Sequence, residues 1–430
     1  MNSRMFARVA LAAWVAVSGS GVAAAAPLAN VLLKNGIIFT QSALSTLDTG
    51  DVLITDGKVA AIGRTLDASP GVEVIDLKGR PVTPALFGGL SFLGVQEIEE
   101  ESATDDTTLK LGQMRPEFEP ALAFNPDAVP VAVARAEGIG FSVIVPGAQA
   151  GDNGAPGSSI VNGLASVASV DGRSPRAPAA LTVTLGEGGA ALAGNSRAAA
   201  FMLLAQALEE ARSPQRLGSL EPGRLLTPAG GRVLASYIGT QKPVIFFADR
   251  ASDIRAIVDF CERHELRPMI AGGAEAWRVA PLLARARVPV ILDPFDSLPE
   301  SFDSIGTTLE NAARLNSAGV TITFSLRSLL PRDVRKLRQG AGNAVAHGLP
   351  WKAALAALTN TPARLFGADA DFGTIEVGKA ANLVVWSGDP LEVTSVAEAS
   401  WLDGRRQTMR SRQTELRDRY LPKVLSGTAR

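Results

Sequence analysis

Residues 243–292 read PVIFFADRASDIRAIVDFCERHELRPMIAGGAEAWRVAPLLARARVPVIL. Three short apolar runs, 243–247, 267–270 and 288–292, are separated by two amphipathic stretches, 252–265 and 276–286. Continuous Val/Ile/Phe runs suit strands buried on both faces, and the intervening stretches have helical spacing. A strand, a covering helix and another strand in repetition predict a parallel sheet wrapped by helices. Outward from there, the runs 141–145 and 320–324 and the helical stretch 310–317 continue the pattern. The fold class expected is α/β: a (β/α)8 barrel, with an open α/β sheet as the other solution of the same pattern.

Both flanks read differently. Residues 31–83 are short strands punctuated by Asn35-Gly36, Asp56-Gly57 and Lys78-Gly79. Asp-Gly between two apolar runs accepts the positive φ angles of a tight hairpin. Strand character returns at 381–386 and at 396–402, ahead of Asp403-Gly404. The two ends are therefore expected to form one small β-sandwich, with 28–84 and 372–408 flanking a barrel at 85–371 and a tail at 409–430. The tail alternates charges on a helical pattern and reads as solvated.

Arg4 and Arg8, the apolar stretch 9–17 and the alanines at 23–26 have the layout of a secretory leader, expected over 1–25. The apolar stretch is too short to span a bilayer comfortably. The single cysteine, Cys261, excludes an internal disulfide and lies too deep in the chain for a lipid anchor. It reads as a small buried hydrophobe. A periplasmic or secreted protein is expected. Hydrophobic residues at 46%, charged residues at 20% and a net charge of -1 describe a globular chain. That balance argues against nucleic acid and anionic membranes as partners.

Several stretches together resemble the amidohydrolase superfamily, in particular its exported, imidazolonepropionase-like members. The N-terminal run Leu33-Lys34-Asn35-Gly36, the hairpin at 51–63 and Val74-Ile75-Asp76 before Gly79 are similar to that family's β-sandwich. The run 354–364, ALAALTNTPAR, is similar to its closing helix, and 373–385, GTIEVGKAANLVV, with Gly388-Asp389-Pro390-Leu391, to its last strands. The resemblance implies hydrolysis of non-peptide C–N bonds by water bound to one or two divalent metals, zinc being typical, held at the strand C-termini by histidines and a carboxylate. It also implies oligomers.

The ligands that the resemblance calls for are missing. The approach to the first His-x-His pair reads Pro84-Ala85-Leu86-Phe87-Gly88-Gly89, which places Leu90 and Phe92 at the pair. Phe247 holds the next histidine position, and Phe324-Ser325-Leu326-Arg327 closes the eighth strand without its aspartate. A bridging lysine is absent too, since no lysine lies between Lys110 and Lys242. The chain has two histidines, His264 at the end of a charged helix and His347 at a helix end before Gly348, neither placed to compensate. No cofactor is expected.

The remaining polar candidates are Asp249, Asp293 and Glu275, each just beyond an apolar strand where a barrel carries its site. Three carboxylates could bind a hard cation or work as an acid/base pair. The plainer reading, which the pattern favours, takes Asp249 as the cap of the helix from 252 and Asp293 as the start of a turn at Asp293-Pro294. The acidic run 97–106 reads as solvated surface, and the Gly-rich stretch 147–163, lacking a Walker lysine, as an inherited active-site loop. Two functions follow: a partner or binding subunit that has lost metal hydrolysis, pairing with itself or with an active homologue, or a hydrolase using carboxylates without a conventional metal.

Overall fold

The computed structural model describes residues 28, 30–152, 155–213 and 223–426. The leader expected over 1–25 lies outside the described residues, as does Gly154 of the Gly-rich stretch. Among the described residues no helix is long and apolar enough to cross a membrane.

One sheet is assembled from both ends of the chain. Its N-terminal strands are β1 (Val31–Phe39), β2 (Thr46–Thr55), β3 (Lys58–Gly63), β4 (Glu73–Asp76) and β5 (Pro81–Pro84). The hairpin between β2 and β3 turns at Asp56 and Gly57, both with positive φ (51° and 79°), the conformation the Asp-Gly pair predicts. After the barrel strands come β14 (Leu383–Trp386), β15 (Ala397–Leu402) and β16 (Arg405–Arg406), and β14 pairs antiparallel with β5. Gly57 and Gly404 sit against each other so closely that a Cβ on Gly404 would collide with the Gly57 backbone. Two turns from opposite ends of the chain thus need glycine in order to meet. Val31, Leu33, Val52, Ile54, Leu383 and Trp401 belong to a core of their own beneath this sheet.

The second sheet is the barrel. In order it runs β6 (Leu86–Ser91), β7 (Ile139–Ile144), β8 (Val161–Ser169), β9 (Pro178–Thr184), β10 (Pro243–Ala248), β11 (Arg267–Gly272), β12 (Val290–Leu292) and β13 (Ile322–Phe324). All neighbours pair in parallel except at β8, which runs antiparallel to both β7 and β9. The barrel is therefore eight-stranded and helix-covered, with one reversed strand that the apolar runs did not disclose. The Gly-rich stretch is the connection from β7 into β8, on the mouth side.

The first and last strands meet through a side chain. The Leu90 N–H donates to Ser325 Oγ at 3.0 Å, and the same hydroxyl donates to the Leu90 carbonyl at 3.1 Å. Just beyond, the Phe92 N–H donates to Leu329 O at 2.8 Å.

The Gly388-to-Leu391 segment also has a physical reason. Arg338, 3% exposed, donates to the carbonyls of Pro390, Glu392 and Ser395 at 2.7–2.9 Å and lies over the Trp386 ring. A buried guanidinium needs acceptors for its fork of donors, and this loop supplies three carbonyls.

Candidate functional site

The C-terminal ends of β9 to β13, with β6, surround a cavity of about 390 Å³. Its floor is apolar, from Leu90, Phe247, Ile291 and Leu326, while Glu187, Asp249, Asp293, Asp303 and Arg327 bring charge to its walls. Asp249, Asp293 and Arg327 follow closely on β10, β12 and β13, where the barrel leaves side chains free to vary. Glu187 lies in the first turn of the helix Gly186–Leu192, and Asp303 in a 3-10 turn at Phe302–Ser304.

Arg327 organises one wall. Its guanidinium holds Asp249 in a two-point contact, Nη1 to Oδ2 at 2.7 Å and Nη2 to Oδ1 at 3.0 Å. Nη2 also donates to Asp296 Oδ2 at 2.5 Å, and Glu300 lies 3.8 Å from Nε. Burial alone would make the guanidinium easier to deprotonate; the hydrogen bonds and charges of Asp249 and Asp296 outweigh it and push its pKa above the ordinary value. Gly272, at φ 92°, makes room for this arrangement: a Cβ there would sit 2.6 Å from Asp249 Oδ1.

Asp293 serves the same wall through its main-chain contacts. Its Oδ1 accepts the Phe295 N–H and its Oδ2 the Arg327 N–H, both at 2.8 Å. Burial raises its pKa, opposed by those two amides. The turn at Asp293 is therefore real, and the carboxylate also pins Arg327. Asp249, by contrast, does not cap the following helix, Ala251–His264, whose first N–H is taken by Glu275 Oε2 at 3.0 Å.

Glu275 does not join the other two. It is 6% exposed, absent from the cavity lining, and its second oxygen accepts the Gly306 N–H at 2.9 Å. Both oxygens are committed to fastening loops, so this candidate has a structural explanation and no free face toward the mouth.

A second ion-pair group, which reaches the cavity through Asp303, is built from residues that local sequence patterns do not point to. Arg197 donates to Asp303 Oδ1 at 2.5 Å and to Asp253 Oδ2 at 3.2 Å, and Asp303 Oδ2 accepts the Glu187 N–H at 2.8 Å. Burial pushes the Asp253 carboxyl up against the pull of Arg197. These three residues are separated by 50 or more positions in the chain, so no local spacing announces them. Asp296 had a faint signal, a second carboxylate just past Asp293-Pro294.

His264 ends its helix stacked on Phe260, with ring centroids 4.2 Å apart and Arg212 nearby. His347 caps the helix Leu337–Ala346, its Nδ1 2.8 Å from Asn343 O. Neither lines the cavity. Cys261 is buried, and burial drives its thiol pKa far up. The acidic stretch is occupied internally, Asp105 bonding Gln96 and Thr107, and Glu99 pairing with Arg332.

The family model described as "Amidohydrolase family" matches residues 253–409. A crystal structure of an amidohydrolase from Thermotoga maritima MSB8 superposes with a TM-score of 0.77 at 26% identity, covering 88% of this chain and 100% of that one. The chain belongs to the amidohydrolase superfamily. A curated amidohydrolase, tasK of Hapsidospora irregularis, is 40% identical over 67 residues, which is 16% of this chain and 7% of that relative's length. A structure of molinate hydrolase, at 14% identity and TM-score 0.54, covers 89% of this chain and 95% of its own, and shares the fold.

Superfamily hydrolases of the kind this sequence resembles hold a divalent metal at this mouth, so the residues present can be tested for fit. Leu90 and Phe247 line the cavity at positions where imidazoles would be expected, and Phe92, outside the lining, packs partly buried against the barrel core. Hydrocarbon offers no lone pair to a metal. Among the described residues no group of three His, Cys, Asp or Glu side chains is arranged to hold an ion. The guanidinium of Arg327 already lies against Asp249 and Asp296. The residues do not fit the group.

Proposed function

We propose that this amidohydrolase-superfamily chain is a binding or partner subunit that does not carry out metal-dependent hydrolysis. The observation that supports the reading is the chemistry of the mouth: Leu90 and Phe247 on the floor and an ion-paired Arg327 on the wall of a preserved cavity. Metal-dependent hydrolysis needs a Lewis acid to lower the pKa of bound water, and this lining offers no donor set for one. The cavity itself, apolar below and charged above, has the make-up of a small-molecule site. We further propose that the chain acts outside the cytoplasm, following its leader-like N-terminus, and that it assembles with copies of itself or with an active homologue.

The test is metal analysis of protein purified without chelator or affinity tag, together with turnover assays on dipeptides, cyclic amides and lactams. The expected result is substoichiometric metal and no turnover. Turnover that disappears in Asp249→Ala or Asp293→Ala would instead establish a carboxylate-based hydrolase. Native copurification from the periplasm addresses the partner, and recovery of the monomer alone would count against a subunit role.

A further inference from the structure

We infer that Arg327 is the resident cation of this mouth, a tethered guanidinium standing in the cradle of Asp249, Asp296 and Glu300 where a dissociable metal ion would otherwise supply the positive charge. The inference rests on the reading that no metal is held here, and it adds what replaces it. Its geometry is that of a guanidinium site. Asp249 takes two parallel N–H donors along one edge of the plane, at 2.7 and 3.0 Å. Asp296 takes the other edge through Nη2 at 2.5 Å and Nε at 3.4 Å.

Oxygens arranged along two edges of a plane suit a planar fork of donors. A divalent ion would need several oxygens within roughly 2.0–2.6 Å of a single point. The side chains involved are largely shielded, with Arg327 30%, Asp249 19% and Asp296 17% exposed. In such surroundings an uncompensated carboxylate is costly, so the two acids depend on the cation between them. Arg327 is held at both ends, because Asp293 accepts its main-chain N–H while the guanidinium is bound. Fixing the backbone and the head group together removes the freedom of a long side chain and makes the cation permanent.

The decisive measurement is thermal unfolding of the full chain with Arg327 intact, as Arg327→Lys and as Arg327→Ala, each with and without guanidinium, methylguanidinium, Zn2+ or Mg2+. Arg327→Ala should lower Tm by roughly 5 °C, from the loss of a shielded ion pair in a chain of this size. Low-millimolar guanidinium or methylguanidinium should return at least half of that loss, and the divalent ions should not. Arg327→Lys should fall between the two, since a point charge cannot span both carboxylates. If Arg327→Ala does not fold, Arg327→Lys carries the test, and a Tm equal to the wild type would overturn the inference. Rescue by a divalent ion in place of guanidinium would also overturn it. Turnover by metal-free wild-type protein would sink the non-hydrolytic reading while leaving the role of Arg327 standing.

Discussion

Replacing Ser325 by alanine should weaken the barrel, because its hydroxyl makes two of the hydrogen bonds that join the first strand to the last. The sheet runs from β6 to β13 without a backbone ladder joining its ends. At that seam Ser325 Oγ accepts from the Leu90 N–H at 3.0 Å and donates to the Leu90 carbonyl at 3.1 Å. Leu90 is 2% exposed and Ser325 6%, so water has little access to either group. Ser325→Ala leaves a buried amide without its acceptor, which costs about 1–3 kcal/mol, and removes a second bond worth about 1 kcal/mol. The sum is about 2–4 kcal/mol.

Urea unfolding followed by circular dichroism reads this as a lowered midpoint at unchanged slope. Ser158→Ala is the control: its hydroxyl donates to Leu109 O at 3.1 Å and accepts the Gln149 N–H at 3.2 Å, but this loop is open enough for water to replace it, so its loss should cost under about 1 kcal/mol. A Ser325→Ala protein within about 0.5 kcal/mol of wild type, the range of ordinary surface changes, would refute the reasoning that this side chain joins the first and last strands.

Arg197→Met should destabilise by about 2 kcal/mol, less than the ~3–5 typical of a fully buried pair because solvent screens the arginine. Asp303 and Asp253 lose their cation in that variant, and a melting temperature unchanged from wild type would contradict the pairing. Tyr237 is raised from 10.0 to about 12, chiefly by burial and next by Glu119. Its contribution to stability is therefore complete below pH 10 and is lost as pH rises toward about 12. Absorbance titration should show a late phenolate step that Tyr237→Phe abolishes, and a step surviving that change would reject the assignment. Cys261, buried on the helix Ala251–His264, should react with a disulfide reagent only after denaturation. Prompt labelling of the native protein would overturn that placement.

Much of the architecture was legible because it depends on local periodicity. The apolar runs at 243–247, 267–270 and 288–292 became β10, β11 and β12 with boundaries shifted by a few residues. The hairpin at Asp56-Gly57 followed from two residues that tolerate positive φ. β8 was harder to see. Strand direction leaves no mark in a run that is buried along its whole length, as β8 is. The reversal depends on where the chain re-enters the sheet.

The site divides along the same line. Leu90 and Phe247, which the motif positions single out, line the cavity, because each sits a fixed step along a recognisable strand; Phe92, singled out in the same way, lies outside the lining. Asp249 and Asp293 could be placed at strand ends for the same reason. What those carboxylates do could not. Glu275 follows its strand just as Asp249 does, yet spends both oxygens on the amides of Ala251 and Gly306, while Asp249 turns toward Arg327.

By itself the sequence determined a barrel between two halves of one small β domain, and a mouth stripped of imidazole. Strand periodicity and residue identity are properties of the chain taken in order. Only the tertiary structure decided that Arg327 lies between Asp249 and Asp296, 78 and 31 positions away, and that Arg197 pairs with both Asp253 and Asp303, 56 and 106 positions away. Coulomb attraction and hydrogen bonding act over ångströms in space, and the barrel brings those charges within that reach.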